Sequence, residues 1–141
     1  MQEMTMKNDV RDALVKKCTE HYNNVCNEGM NMKDLGRPPE SIVIVLGETQ
    51  KSTEWKPISQ RAAVFRYSAD GLEEAAADTV PDETESGMYF REASAELYAT
   101  EEGTAFMTLR FGKRYERYYG YTVISENGKV ILDREKLIWV S

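Results

Sequence analysis

Between positions 110 and 121 the chain reads Arg-Phe-Gly-Lys-Arg-Tyr-Glu-Arg-Tyr-Tyr-Gly-Tyr, a basic and aromatic stretch in a protein of formal net charge −6. Guanidinium groups grip phosphate or carboxylate through two parallel hydrogen bonds, and phenol rings offer planes on which a flat ligand stacks. On a β-sheet face this combination suits single-stranded nucleic acid or a nucleotide. The stretch lacks the Gly-aromatic-Gly-aromatic order that follows a basic residue in RNA-recognition motifs. The ordinary alternative is that Tyr, Arg and Thr are good residues for any half-exposed strand.

Residues that would make a catalyst are sparse. His21 is the only histidine. It falls in a helical segment beside the apolar stripe, the place of a half-buried structural residue rather than a general base. Cys-x-x-Cys, His-Glu-x-x-His and calcium-loop spacings are absent, so neither a metal site nor a cofactor is expected. No Walker loop, dinucleotide glycine motif or Gly-x-Ser-x-Gly elbow occurs. Cys18 and Cys26 lie on the packed side of one helix, about 12 Å apart by helical rise, and cannot pair with each other. Glu73/Glu74 and Glu101/Glu102 are adjacent carboxylates that read as solvated, and nothing selects them for acid–base work. No catalytic residue is expected.

Helix and sheet must position the basic and aromatic stretch. Val10, Leu14, Cys18, Tyr22 and Val25 or Cys26 recur at steps of three and four, which predicts an amphipathic helix over 9–28. Asn8 suits its N-cap, Asp9 and Asp12 its first turn, and Gly29 its C′ position. Residues 1–8 carry no pattern and are read as a frayed start. Gly36-Arg37-Pro38-Pro39 ends the helix and leads to the sheet. The run at 42–46 is β-branched and apolar on both faces, which predicts a central strand. A second strand is read over 61–67. Asp70-Gly71-Leu72-Glu73 has capping-box spacing ahead of Glu74 and three alanines, which predicts a short acidic helix near 71–78. After an acidic loop the remainder reads as an antiparallel meander.

The turns of that meander set a register. Glu101-Glu102-Gly103 fits a three-residue hairpin, Gly112-Lys113 a two-residue turn, and Asn127-Gly128 is the strongest hairpin signal in the chain. Residues flanking a two-residue turn face each other, and cross-strand partners share a face. Arg110 is then opposite Tyr115, Thr108 opposite Arg117, Phe106 opposite Tyr98 and Tyr119, Tyr121 opposite Arg134, and Tyr119 opposite Lys136. One face collects Tyr98, Phe106, Arg110, Tyr115, Arg117, Tyr119, Tyr121, Arg134 and Lys136. The other collects Ala95, Leu97, Ala99, Ala105, Met107, Leu109, Phe111, Tyr118, Ile124, Ile131 and Leu137 against the helix. Glu116, opposite Leu109 on the apolar face, is the one misfit, tolerable near the sheet end.

The expected fold is α+β, a long N-terminal helix packed on one face of an antiparallel meander sheet, in a single domain over 1–141. At 141 residues the chain is long enough to bury its own core. A helix on a curved meander resembles the cystatin-like and NTF2-like architectures, a likeness of fold that implies no activity.

Charge is unevenly spread. Residues 68–102 hold eleven carboxylates and one Arg, whereas 110–117 hold four basic residues against Glu116. Net acidity argues against indiscriminate binding of long nucleic acid, but leaves room for a small anionic ligand at a local basic patch. The longest apolar run, 42–46, is too short to span a bilayer, so no membrane is expected. The start has no apolar stretch with a cleavage site, and the thiols are unpaired; both point to the cytoplasm.

These features predict a non-enzymatic small binding protein. Tyr98, Arg110, Tyr115, Arg117, Tyr119, Tyr121, Arg134 and Lys136 would hold an anionic or aromatic, nucleotide-like ligand. In one alternative the chain is an inhibitor or adaptor that docks on a partner protein through the acidic segment 68–102 or the Tyr-rich face. Tyr and Arg are enriched at interface centres, and a homodimer stacking these faces belongs to the same class. In another it is a cystatin-like or NTF2-like enzyme with carboxylate chemistry that no motif reveals. Glu96 is the expected neutraliser of Arg110 or Arg117 if the face is structural.

Overall fold

The computed structural model describes residues 2–31, 33–51, 55–58 and 60–140, with the backbone alone for 2–8, 33, 139 and 140. Helix α1 (Gln2–Asn31) is longer at both ends than the apolar stripe predicts. Residues 2–8 belong to it, and Asn8 and Gly29 lie inside it rather than capping it. Gln, Glu, Met and Lys ahead of Asn8 are good helix formers, so nothing stops the ladder there. The helix gives way only at the 3-10 turn Lys33–Leu35 and the Gly-Arg-Pro-Pro link. It buries Leu14, Cys18, Tyr22 and Val25 against the sheet, as the spacing predicts; Val10 is only partly buried, and Val15, outside the expected stripe, is buried as well.

The strands in chain order are β1 (Ser41–Gly47), β2 (Arg61–Ser68), β3 (Gly71–Glu74), β4 (Glu85–Ser86), β5 (Tyr89–Phe90), β6 (Glu92–Ala99), β7 (Thr104–Gly112), β8 (Tyr115–Glu126) and β9 (Lys129–Val140). Seven form one sheet in the order β3-β2-β1-β6-β7-β8-β9, and β4 with β5 makes a separate ribbon. The α+β class and the meander β6 to β9 agree with expectation. β1 is central and covered on both faces: Ile42, Ile44 and Leu46 meet α1, while Val43 and Val45 pack with Val64 on the outer face. It pairs parallel with β6, and the other ladders are antiparallel. Among the described residues no helix is long and apolar enough to cross a membrane.

The short helix expected near 71–78 does not form. Residues 71–74 are the edge strand β3, paired with β2 from Phe65↔Glu74 to Ser68↔Gly71. Gly71 takes φ 106, outside the helical region. Ladder hydrogen bonds to β2 satisfy the backbone that a capping box would have satisfied locally.

One carboxylate ties the parallel pair to its surroundings. Glu92, opposite Ser41 at the start of β6, accepts hydrogen bonds from Ser41 Oγ at 2.5 Å, Arg66 Nε at 3.0 Å and the Asp82 N–H at 3.1 Å. Burial works to raise its pKa, but these donors outweigh it and hold the carboxyl below its ordinary value.

The register holds from β6 to β7, with Tyr98 opposite Phe106 and Glu96 opposite Thr108. From β7 to β8 it is offset by one residue. The turn is Lys113-Arg114 rather than Gly112-Lys113, and a bulge at Phe111 sets Arg110 opposite Glu116, Thr108 opposite Tyr118 and Met107 opposite Tyr119. Because strand side chains alternate with period two, the offset exchanges the faces of β8. Arg117, Tyr119 and Tyr121 turn toward α1, and Glu116 and Tyr118 turn away. Ile124 and Ile131, expected in the core, lie on the outer face as well. The cause sits at Gly112, where a Cβ would stand 2.0 Å from the Met88 carbonyl oxygen. The chain approaches so closely that only glycine fits, and the strand kinks past it.

The Asn127-Gly128 turn forms as expected, with both residues at positive φ, and the ladder runs from Glu126↔Lys129 to Thr122↔Asp133. A bulge at Arg134, at φ 52, then displaces it, so Lys136 is opposite Gly120 and Leu137 opposite Tyr119. Lys136 therefore never faces Tyr119.

Two predictions follow from these contacts. Gly112→Ala should cost about 1–3 kcal/mol through overpacking against Met88. A urea midpoint equal to that of the natural chain would show that the register is set elsewhere. Glu92 is ionised in the folded chain to lower pH than in the unfolded one. Its contribution is therefore complete above about pH 4.5 and fades as pH falls through the lowered value. Glu92→Gln should cost about 1–3 kcal/mol at neutral pH and flatten the acid limb of stability, read from urea midpoints against pH. An unchanged acid limb would remove Glu92 from that role.

Candidate functional site

The residues expected to share one binding face are divided between two. Tyr98 and Arg110 remain on the outer face. Tyr98 is 3% exposed, and its Oη accepts the Lys56 N–H at 2.6 Å. Arg110 is held by Glu83 at 2.9 Å and Glu116 at 2.8 Å, and lies 5.0 Å from the centre of the Phe90 ring. The Glu116 oxygen lies off the Nε–H direction, so that contact is an ion pair without a hydrogen bond. Glu83 and Glu116, not Glu96, neutralise Arg110. Trp55 stacks on Tyr118 at 4.8 Å and helps roof a groove of about 290 Å³ over Val43, Val45, Glu96 and Thr108.

Tyr115, Arg117, Tyr119 and Tyr121 lie on the other face, along the flank of α1. Arg117 sits 5.0 Å from the centre of the Tyr115 ring. Burial opposes its charge, but a hydrogen bond with Tyr119 and the nearby Glu28 support it. His21 stacks on Tyr119 at 4.5 Å and places Nε2 2.7 Å from Glu135 Oε1. Tyr121 donates to the same oxygen at 2.7 Å. The bulge at Arg134 is what turns Glu135 inward. Burial works to raise the Glu135 pKa, but Tyr121 and His21 outweigh it and keep the carboxyl below its ordinary range. Burial, reinforced by Glu135, pushes the Tyr121 phenol far up, so it is a fixed donor and not a nucleophile. His21 thus has a carboxylate partner that sequence reasoning missed. No local pattern announces it, because the partner arrives through a bulge in a distant strand. Arg134 and Lys136 lie exposed on β9.

A larger space lies at the opposite end of the helix. β1 and β6 run parallel and so finish at the same end of the sheet, where the first turns of α1 cross them. A cavity of about 770 Å³ opens there between helix and sheet. Val10 and Leu14 come from the helix; Leu46, Leu97, Ala99 and Val123 come from the sheet. Ala62, Ala99 and Gly103 are small, and leave space that larger side chains would fill. Arg11, Thr49, Thr100 and Ser125 supply polar atoms. Arg11 is half-buried and makes no ion pair among the described residues, while Glu48 and Glu101 are solvent-exposed. Of the expected ligand-binding residues only Tyr98 lines this cavity. The spacing of the lining residues along the chain gave no sign of it, since they come from the helix, five strands and two loops.

Among the described residues no group of three or more His, Cys, Asp or Glu is placed to hold a metal ion. Cys18 is fully buried, and burial pushes its thiol far above the ordinary range. Compared with protein-family models, curated proteins and solved structures, the chain matches none.

Proposed function

We propose that the chain is a non-enzymatic binding protein. It holds a small amphipathic molecule, apolar in body and anionic at one end, in the cavity between α1 and the sheet. The observation that carries this reading is the cavity itself. Its volume of about 770 Å³ falls in the usual range for small-molecule sites. Val10, Ala99, Val123 and Val130, which are only partly buried, would cover the apolar body, and Arg11 would meet the anionic end. Glu48 and Glu101 oppose an anion less than their number suggests, because water screens exposed charges more than a half-buried one.

The anionic ligand expected from the sequence is kept, and its place changes. The Tyr and Arg residues of β8 are engaged with α1 and with each other, and Arg110 already has two carboxylates. The reading as non-enzymatic is supported by the same geometry: His21 and Glu135 are joined to a phenol that burial keeps protonated.

Anilinonaphthalene sulfonate, an apolar dye with one anionic group, is a suitable probe. It should bind the folded chain with enhanced fluorescence. Ser125→Trp, which places a ring at an exposed lining position, should abolish that signal without loss of stability. Arg11→Ala should weaken binding roughly tenfold, as expected for one partly solvated charge-assisted hydrogen bond. Equal dye binding by Ser125→Trp and the natural chain would rule out the cavity as the site.

A further inference from the structure

β9 is the last strand at one end of the sheet, and its free edge runs for twelve residues. Long edges offer unpaired N–H and C=O groups to another chain. Ile131, Leu137 and Ile138 on this strand are 41%, 50% and 47% exposed. We propose that this edge pairs with the β9 edge of a second copy of the chain, antiparallel, about a two-fold axis at Arg134 and Glu135. This is independent of the cavity.

The first ground is the strand's own sequence. Val130-Ile131-Leu132 and Leu137-Ile138 flank Asp133-Arg134-Glu135-Lys136. Laid antiparallel on a copy of itself about that centre, the strand sets Leu132 against Leu137, Ile131 against Ile138 and Asp133 against Lys136. Apolar meets apolar, acid meets base, and the two-fold repeats each pair.

The second ground is the bulge. In a straight strand, residues an odd number of positions apart point to opposite faces, so Asp133 and Lys136 could not share one. The extra residue at Arg134 removes this obstacle. Asp133 is opposite Thr122 and Lys136 opposite Gly120, which puts both on the outer face. Leu132 is opposite Val123 and Leu137 opposite Tyr119, both on the helix face. Ile131 is opposite Ile124, and Ile138 reaches the open side of Gly120, again the outer face. Each pair in the dimer register therefore shares a face.

The backbone agrees. Glu126 and Lys129 close a two-residue hairpin, so even-numbered residues of β8 direct their N–H and C=O to β9. Asp133 and Lys136 are consequently bonded inward. Leu132 and Leu137 direct theirs outward, where they meet across the axis. Arg134 and Glu135 lie at the axis, with Glu135 turned away to His21 and Tyr121. Lysine and a bulge commonly blunt an edge; here the lysine finds Asp133 and the bulge supplies the matching faces.

Sedimentation equilibrium of the full chain tests this. The natural chain should show a monomer–dimer equilibrium. Lys136→Asp sets like charges opposite one another twice, and should raise the dimer dissociation constant roughly ten- to hundredfold. Asp133→Lys should do the same. The joint variant Asp133→Lys with Lys136→Asp exchanges the charges and should restore the dimer. Thermal unfolding of each variant checks that these exposed substitutions leave the fold intact. A natural chain that stays monomeric, a dimer indifferent to either single change, or a joint variant that stays dissociated would overturn the proposal.

Discussion

The Met88 carbonyl oxygen stands 2.0 Å from where a side chain at position 112 would begin, and that approach governs the meander beyond it. Gly112 admits the contact, Phe111 is left as the extra residue, and β8 enters the sheet one position away from its expected register. The step is small in distance and complete in effect. Each side chain of β8 changes face. Arg117, Tyr119 and Tyr121 turn from solvent toward α1, where His21 and Glu28 are waiting. Glu116, which would have been an unexplained acid among apolar residues, lands beside Arg110 instead. A second offset at Arg134 turns Glu135 inward to complete the contact with His21.

The parallel pairing of β1 and β6 has a different consequence. A parallel partner needs a long return path, and the chain between them supplies β2, β3 and the β4–β5 ribbon. Glu92 fastens that excursion at the point of return, bonding β1, β2 and the Asp82 backbone together. Because both central strands then end at the same side, their final residues and the first turns of α1 enclose space that small side chains do not fill. Deeper in the core Phe111, Met107, Leu109 and Ile44 are almost wholly removed from solvent.

Charge is segregated along the chain and interleaved in space. Several carboxylates of the acidic segment face the basic turn after β7 or their own neighbours. Glu83 holds Arg110 at 2.9 Å, Glu85 meets Lys113 at 3.4 Å, and Asp82 meets Arg91 at 3.7 Å. Half-exposed pairs of this kind contribute little stability individually. Within the basic stretch they pair Arg110 and Lys113 with carboxylates.

The features legible in the sequence are those decided over a few residues. Leu14, Cys18 and Tyr22 fall on one stripe whatever they pack against. The run from Ile42 to Leu46 is apolar on both faces and therefore central. Glu101-Glu102-Gly103 and Asn127-Gly128 carry the backbone freedom that their turns require. Residues 71–74 show where such reasoning stops: a capping box favours a helix locally, but an open edge on β2 offers a full ladder, and the ladder prevails. The same limit applies to the sites. Which face of β8 holds the Tyr and Arg side chains depends on a carbonyl at Met88, remote in sequence. The pairing of His21 with Glu135 depends on an extra residue in an edge strand. The cavity depends on two strands ending together. Local propensity and periodicity act over one or two turns, and only the assembled backbone determines where two distant segments come too close for a side chain or stay far enough apart to leave a void.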